Sequence, residues 1–296
     1  MNDIAQALML ARNLGVDRLD AQLLLLHAIG AAPADIGTRR AWLLAHDDEA
    51  VDAGTVCKFE HSLRRRLAGE PLAYITGYKE FFGLGLGVDA RVLVPRADTE
   101  TLVAWALELL AGPIATGFAP PAAVLDLGTG SGAIALALKH TRPEIQVDAV
   151  DASLDALKVA CANAARLGLE VQFSHGSWLD QVKRHYHCIV ANPPYVAADD
   201  PHMRALTHEP VVALVSGPDG LQDIRHIVTA AKARLYDGGW LLVEHGFDQA
   251  ERVHNLFAQA GYRQIESKRD LGGNTRCTGG SISLTIPLPA AIDPAH

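Results

Sequence analysis

Through the first seventy residues apolar side chains return every three or four positions, the period of a helix with one buried face. Ile4, Ala7, Leu8, Ala11 and Leu14 form the first stripe, and Gly15 stops it. A second helix is predicted over Asp20–Ile29, whose Leu-rich body must be buried nearly all round. Trp42-Leu43-Leu44 marks a third, and Val51–Leu67 a fourth with Val56, Phe59, Leu63 and Leu67 on one face. Arg64, Arg65 and Arg66 lie near the end of that helix, where positive charge complements the dipole. A solvated helix end is expected there ahead of an RNA-contacting patch. Gly69-Glu70-Pro71 breaks the helix, and Tyr74–Val94 then alternates apolar and small residues through Phe81-Phe82-Gly83-Leu84-Gly85-Leu86, the pattern of a β-hairpin. Leu93–Glu100 leads into a helix predicted over Thr101–Leu110, with Asp98 or Thr99 as its cap.

After a Pro/Gly/Ala connection from Gly112 to Pro121, strands and helices alternate, which predicts an α/β fold with a parallel sheet covered on both faces. Strands are expected at Ala123–Leu127, Gln146–Val150, Glu170–Phe173, Cys188–Ala191, Trp240–Glu244, Arg263–Ser267 and Ser281–Ile286. Helices are expected near Gly132–His140, Leu154–Leu167, Leu221–Tyr236 and Gln249–Ala260. Asp270–Gly280 is too short for a crossover helix, so the last two strands should pair antiparallel at the sheet edge. The expected organisation is a helical domain over residues 1–72, a hairpin linker over 73–94, an α/β domain over 95–286 and a disordered tail over 287–296.

Composition narrows the functional classes. The chain has 296 residues, and its formal charge of −8 argues against a protein that holds duplex nucleic acid by its phosphates. Met1–Gln6 carries Asp3 and no basic cluster, giving no sign of a signal peptide, and the apolar run Leu23–Leu26 is too short to span a membrane. Cys57, Cys161, Cys188 and Cys277 are scattered without a CxxC pair, which fits reduced thiols in a cytoplasm. No HxxxH or HExxH occurs among the histidines, so no metal site is expected.

Two stretches carry chemistry. Val124–Gly132 reads as a strand, a tight glycine turn and a helix start, where a ligand can approach the backbone of Gly128, Thr129, Gly130, Ser131 and Gly132 closely. Gly128, Gly130 and Ala133 also satisfy the dinucleotide pattern G-x-G-x-x-A, so the turn alone does not choose a ligand. Asp151 ends the next strand, where it can take ribose hydroxyls or simply cap the following helix. Asp126, just before the turn, would repel a pyrophosphate but suits a cationic ligand. Trp178 follows the third strand, placed either to flank a flat ring or to pack beneath its loop. The second stretch is Ile189-Val190-Ala191-Asn192-Pro193-Pro194-Tyr195, a buried strand ending in a rigid turn. Two prolines remove two backbone donors and leave carbonyls available to a ligand. Asn192 adds a side-chain carbonyl, and Tyr195 a flat face, a set suited to gripping a planar NH2 group.

Asn192–Tyr195 resembles the Asn-Pro-Pro-Tyr signature of S-adenosylmethionine-dependent methyltransferases acting on planar nitrogens. With Asp20-Ala21, Glu70–Gly77, Leu93–Glu100, Asp126–Gly132, Glu209-Pro210 and Glu244-His245-Gly246, the chain resembles the HemK-type or PrmC-type protein-(glutamine-N5) methyltransferases over nearly its whole length. The resemblance implies a class I, Rossmann-like methyltransferase domain whose seven-stranded sheet takes its last strand antiparallel, behind a small helical domain. Because residues 1–72 carry no chemistry of their own, they are expected to dock the substrate. It implies S-adenosylmethionine held by Gly128–Gly132, Asp151, Trp178 and Asn192. The substrate would be the glutamine of the Gly-Gly-Gln loop of class I peptide chain release factors, held by Asn192, Pro193, Pro194 and Tyr195. The scattered cysteines, acidic balance and short apolar runs lead to the expectation of a cytoplasmic enzyme with no direct nucleic-acid or membrane binding, and a monomer is expected. Asn192 Oδ1 and the Pro193 carbonyl would accept the two amide N–H bonds, with Tyr195 packed on the amide plane. No strong base is required on this scheme, and no Asp or Glu adjoins the turn. Ala97 departs from the family's usual Pro, Ser177 before Trp178 from a common Asp, and Thr207-His208 from a frequent Arg-Phe. The roles of Arg96, Asp98, Thr99 and Glu100 stay open. Three rivals remain: an adenine N6-methyltransferase of nucleic acid, which should carry a basic groove; a non-catalytic S-adenosylmethionine-binding adaptor, which should have lost Asn192 or the glycine turn; and an NAD-linked oxidoreductase, which leaves Asn192–Tyr195 unexplained.

Overall fold

A computed structural model describes residues 3–32, 36–112, 121–201, 203 and 206–283 of the chain. It divides into two compact units, Met1–Val94 with Pro201–Pro210, and Pro95–Asp200 with Val211–His296. The tail 287–296 and residues 113–120 of the Gly112–Pro121 connection fall outside the described residues.

In the first unit, α1 (Ile4–Asn13), α2 (Arg18–Ile29) and α4 (Ala53–Leu67) each begin at an aspartate whose carboxylate takes up the first free N–H groups: Asp3, Asp17 and Asp52. Between the last two lies α3 (Ile36–Ala45). The predicted stripes meet in one core, with Ile4, Ala7, Leu24, Leu25, Phe59 and Leu63 essentially inaccessible to solvent. The arginine triplet is not simply solvated. Arg65 pairs with Glu70 at 2.5 Å and Arg66 with Asp20 at 2.6 Å, tying the end of α4 to its own loop and to α2. A short helix α5 (Leu72–Thr76) takes Tyr74 out of the expected hairpin, and Gly77, at φ +68°, ends it. The hairpin itself is β1 (Tyr78–Phe81) antiparallel to β2 (Leu84–Gly87). The segment carrying Thr207-His208 belongs to this unit: His208 Nε2 lies 3.1 Å from the Ala68 carbonyl, and the Val94 N–H donates to Glu209 at 3.2 Å.

In the second unit a 3-10 turn (Ala97–Thr99) leads into α6 (Glu100–Ala111). The alternation that follows is β3 (Ala123–Leu127), α7 (Ala133–Thr141), β4 (Gln146–Asp151), α8 (Leu154–Leu167), β5 (Gln172–His175), β6 (Tyr186–Ala191), α9 (Gln222–Ala231), β7 (Leu235–Glu244), α10 (Ala250–Gln259), β8 (Arg263–Arg269) and β9 (Thr275–Ser281). Among the described residues these strands form a seven-stranded sheet in the order β5-β4-β3-β6-β7-β9-β8. β9 runs antiparallel to both of its neighbours, and the pairs β5·β4, β4·β3, β3·β6 and β6·β7 are parallel. The strand order reverses between β3 and β6, which are hydrogen-bonded neighbours with Leu127 opposite Ala191. Ligands of open α/β sheets bind at such a switch point, beyond the carboxyl ends of the strands.

Three expected elements are displaced. The last strand is Thr275–Ser281, not Ser281–Ile286, because Gly279 and Gly280 are strand residues and not loop. A Cβ on Gly279 would fall 2.4 Å from Leu242 and 2.8 Å from Trp105, so the glycine makes room for large core side chains. The helix expected over Leu221–Tyr236 stops at Ala231, and Leu235 and Tyr236 already belong to β7. Asp237-Gly238-Gly239 lies inside that strand, with Gly238 at φ +75° and an irregular register opposite Tyr186–Cys188. The strand expected at Glu170–Phe173 sits two residues later, at Gln172–His175.

Candidate active site

Because Leu127 and Ala191 are paired, the turns that follow them emerge side by side. The first is the glycine turn. Gly128, Gly130 and Gly132 all have positive φ, at 70°, 56° and 85°. The N–H groups of Gly128 and Thr129 both donate to the Val150 carbonyl, at 2.8 and 3.0 Å, folding the turn back over the end of β4. Thr129 and Ser131 are buried, and the Thr129 hydroxyl donates inward to Asp126 at 2.7 Å, so these two offer a ligand their backbone more than their side chains. A Cβ on Gly130 would meet nothing within 4 Å, which leaves open space above the turn. Trp178, held in the left-handed region at φ 47°, lies over Gly128, and its indole N–H donates to Asp223 at 3.1 Å. Asp151 accepts from the Gly130 N–H and the Ser153 N–H, both at 2.8 Å. The cap of α8 is Ser153, so the alternative of Asp151 as that cap is set aside.

Asp126 is fully buried beneath this turn. One carboxylate oxygen accepts from Thr129 and from the Ala135 N–H, and the other, Oδ1, has no hydrogen-bond partner among the described residues. Burial pushes the carboxyl up to about 7, against the pull of its two hydrogen bonds and with a further upward push from Asp151. A buried acid with one carboxylate oxygen unpartnered among the described residues, beside a second carboxylate and under an open glycine turn, fits a cationic ligand and not a pyrophosphate. The donor set therefore fits S-adenosylmethionine. The sign of the linkage follows from a folded-state value above the unfolded one. Stability from Asp126 is fully present below the ordinary Asp range and is lost as pH rises through about 7. Asp126→Asn is expected to remove that loss, worth on the order of 2–4 kcal/mol at pH 8, and to weaken S-adenosylmethionine binding. Ligand-free melting curves from pH 5 to 8 check this; equal pH dependence in variant and wild type would exclude Asp126 as the ionising group.

The second turn is Asn192–Tyr195. The Asn192 amide donates to the Thr99 hydroxyl at 3.1 Å. Among the described residues no hydrogen bond is made to Asn192 Oδ1 or to the Pro193 carbonyl. The Tyr195 carbonyl accepts from the Gln249 side chain at 2.9 Å, and its hydroxyl donates to Glu244 at 3.4 Å. Pro194 is half-buried in the same turn. Thr99 occupies the expected N-cap position of α6 but makes no side-chain capping hydrogen bond there. Asp98 instead pairs with Arg276 at 3.1 Å, and Arg276 also with Asp270 at 2.9 Å.

The expectation that no acid adjoins the turn is corrected by Glu244. It ends β7, the parallel neighbour of β6, and so reaches the same edge. It is 1% exposed, and burial pushes it up to about 7, with Thr99, Arg276 and Tyr195 pulling down and Asp98 pushing up. In the sequence Glu244 stands out only within Glu244-His245-Gly246 and as a strand end, and sequence reading gives neither it nor Gly220, Asp223 or Gln249 a role at the site. The signal for Glu244 was present: a charged residue directly after the apolar run Trp240–Val243, at the carboxyl end of a predicted strand.

The model for "Methyltransferase small domain" matches residues 108–217. The fold matches a methyltransferase of Pyrococcus furiosus (TM-score 0.51, 16% identity, 76% of this chain and 100% of that one) and the hMettl16 catalytic domain (0.56, 13%, 79% and 83%). Fold, family model and site together define an S-adenosylmethionine-dependent methyltransferase of class I architecture. The "PrmC N-terminal domain" matches residues 3–77, and release factor glutamine methyltransferases are similar along most of the chain. That of Coxiella burnetii is 43% identical (88% of this chain, 90% of the relative), that of Bordetella pertussis 43% (90% and 95%), and that of Burkholderia pseudomallei 42% (94% and 96%). The chain belongs to the release factor glutamine methyltransferase family.

Proposed function

We propose that this chain methylates the side-chain amide nitrogen (N5) of the glutamine in the Gly-Gly-Gln loop of class I release factors, with Asn192 and Pro193 gripping the amide. One observation carries the reading. The Asn192 NH2 is taken up by Thr99, while Asn192 Oδ1 and the Pro193 carbonyl are without partners among the described residues, two acceptors for the two hydrogens of a planar amide. S-adenosylmethionine supplies an electrophilic methyl group on a sulfonium. An amide nitrogen is a poor nucleophile because its lone pair is delocalised. The two oxygens orient that lone pair and stabilise the positive charge that develops on nitrogen. Tyr195 packs on the amide plane. Burial holds its phenol above the ordinary range, so the hydroxyl stays a donor to Glu244. Gly128–Gly132, Asp151, Trp178 and Asn192 line the cofactor side.

Identity above 40% to release factor enzymes along about nine-tenths of the chain favours this substrate over a nucleic-acid adenine. Mass spectrometry of a purified release factor incubated with the protein and S-adenosylmethionine tests it. A 14 Da gain on the loop glutamine is expected for one methyl group replacing hydrogen, on the order of one per molecule, and an unmodified glutamine would overturn the reading. We further propose a cytoplasmic monomer, with residues 1–72 docking a second surface of the release factor. Two contacts raise the loop's effective concentration, so a free Gly-Gly-Gln peptide should have kcat/KM about 10²–10⁴-fold below that of the intact factor. Equal values would remove the docking role. Among the described residues no helix is long and apolar enough to cross a membrane.

A further inference from the structure

The Asn192 amide can sit in either of two orientations, related by a half-turn about its last side-chain bond. One presents Oδ1 to the substrate. The other presents NH2, a donor facing the donors of the glutamine amide, and cannot grip it. What selects between them is not in the Asn192–Tyr195 turn itself.

Thr99 is 4% exposed and Glu244 1% exposed, and both stand behind the turn. Asn192 Nδ2 donates to Thr99 Oγ1 at 3.1 Å, the Tyr195 hydroxyl reaches Glu244 Oε1 at 3.4 Å, and the Thr99 hydroxyl is close enough to Glu244 to pull its carboxyl down as a donor. Glu244 Oε2 is buried with no partner among the described residues. A threonine hydroxyl has a single hydrogen. An ionised carboxylate has none and can only accept. Glu244 therefore takes the Thr99 hydrogen, the Thr99 oxygen then faces Asn192 with a lone pair, and only the Asn192 NH2 can answer it. The direction of every hydrogen bond in the row follows from the charge at its far end.

We propose that Thr99 and Glu244 are positioning residues for methyl transfer, fixing the Asn192 amide so that its oxygen meets the substrate and anchoring the Tyr195 ring beside it. The proposal rests on the reading of Asn192 given above. Neither residue touches the reacting atoms. Their effect passes through Asn192 and Tyr195, and it belongs in turnover and not in cofactor affinity.

Protonation of Glu244 removes the acceptor-only end of the row and lets Thr99 and Asn192 reverse. The groups around it are Asp98 and Arg276, which act in opposite senses, the Tyr195 phenol, the Cys277 thiol opposite on β9, and His245 next along the chain. Burial keeps Cys277 protonated and lowers His245, so neither competes for the role. Because Glu244 is pushed up to about 7, turnover should fall as pH drops through that value.

Thr99→Val, Thr99→Ser and Glu244→Gln, with Asn192→Ala alongside, test this on the full chain with intact release factor. Circular dichroism and S-adenosylmethionine affinity report whether each variant is folded. Thr99→Val is expected to lower kcat about a hundredfold with KM for the release factor and cofactor affinity nearly unchanged, and Thr99→Ser to restore most of it. The acid limb of kcat near pH 7 should be present in wild type and absent in Glu244→Gln, which carries no titrating group. Wild-type kcat in Thr99→Val and Glu244→Gln, with Asn192→Ala strongly impaired, would overturn the positioning role and leave the Asn192 reading standing. An acid limb that persists in Glu244→Gln would remove Glu244 from it, and this near-isosteric variant decides the matter if Thr99→Val does not fold. An active, folded Asn192→Ala would overturn both.

Discussion

Asn192→Ala should cost about 10²–10³-fold in the rate of methyl transfer while the protein keeps its fold and much of its affinity for S-adenosylmethionine. The side chain supplies one of two oxygens that meet the amide hydrogens, and that contact strengthens only as positive charge appears on nitrogen. The interaction lost is thus one made mainly in the transition state. Asn192 is only half-buried, so truncation opens no large cavity in the sheet. Asn192→Asp separates the parts of the argument. It keeps an acceptor toward the substrate but loses the NH2 that donates to Thr99, and it sets a second negative charge near Glu244. It should therefore be severely impaired although its shape is preserved. Single-turnover rates on release factor, with circular dichroism as a fold control, decide the matter. A folded Ala variant that works at the wild-type rate would remove Asn192 from the chemistry.

Elements whose signal is local were legible in the chain. The glycine turn after an apolar strand and the Asn-Pro-Pro-Tyr turn after another can each be read within ten residues, and parallel pairing of β3 with β6 brings them together. What escaped was long-range. Thr99 stands at the N-cap position its sequence neighbours predict, but its hydroxyl serves Asn192, ninety-three residues away in the chain. Glu244 looks like the polar end of a strand until its neighbour strand is known. Gly279 and Gly280 read as loop because glycine usually disfavours strands. Only the packed core shows that Leu242, Trp105, Tyr262 and Phe257 occupy the space where side chains would stand. Sequence periodicity reports which face of an element is buried, but not which distant side chain needs the room.

Gly220→Ala should be the most damaging single-methyl change near the site, although Gly220 touches no reacting atom. Its φ is +71°, a conformation that costs an alanine about 1–2 kcal/mol. The added Cβ would also stand 2.3 Å from the Tyr195 carbonyl oxygen, 3.0 Å from its carbonyl carbon and 2.8 Å from Gln249 Nε2. These are the atoms of the hydrogen bond that holds the substrate turn from behind. Backbone on the far side cannot rotate away as a flexible side chain would. Either the loop or the turn must move, at a total on the order of 2–5 kcal/mol. A lower melting temperature and a fall in kcat together are expected. Gly130→Ala is the control, since it too has positive φ, at 56°, but a Cβ there meets nothing within 4 Å. Its stability loss should stop at about 1–2 kcal/mol. The new methyl would instead project into the open space above the glycine turn, so its main effect should be weaker S-adenosylmethionine binding by calorimetry. If Gly220→Ala leaves both melting temperature and kcat unchanged, the Gly220–Tyr195 contact does not hold the substrate turn. If Gly130→Ala binds S-adenosylmethionine as wild type does, the space above Gly130 is not where the cofactor lies.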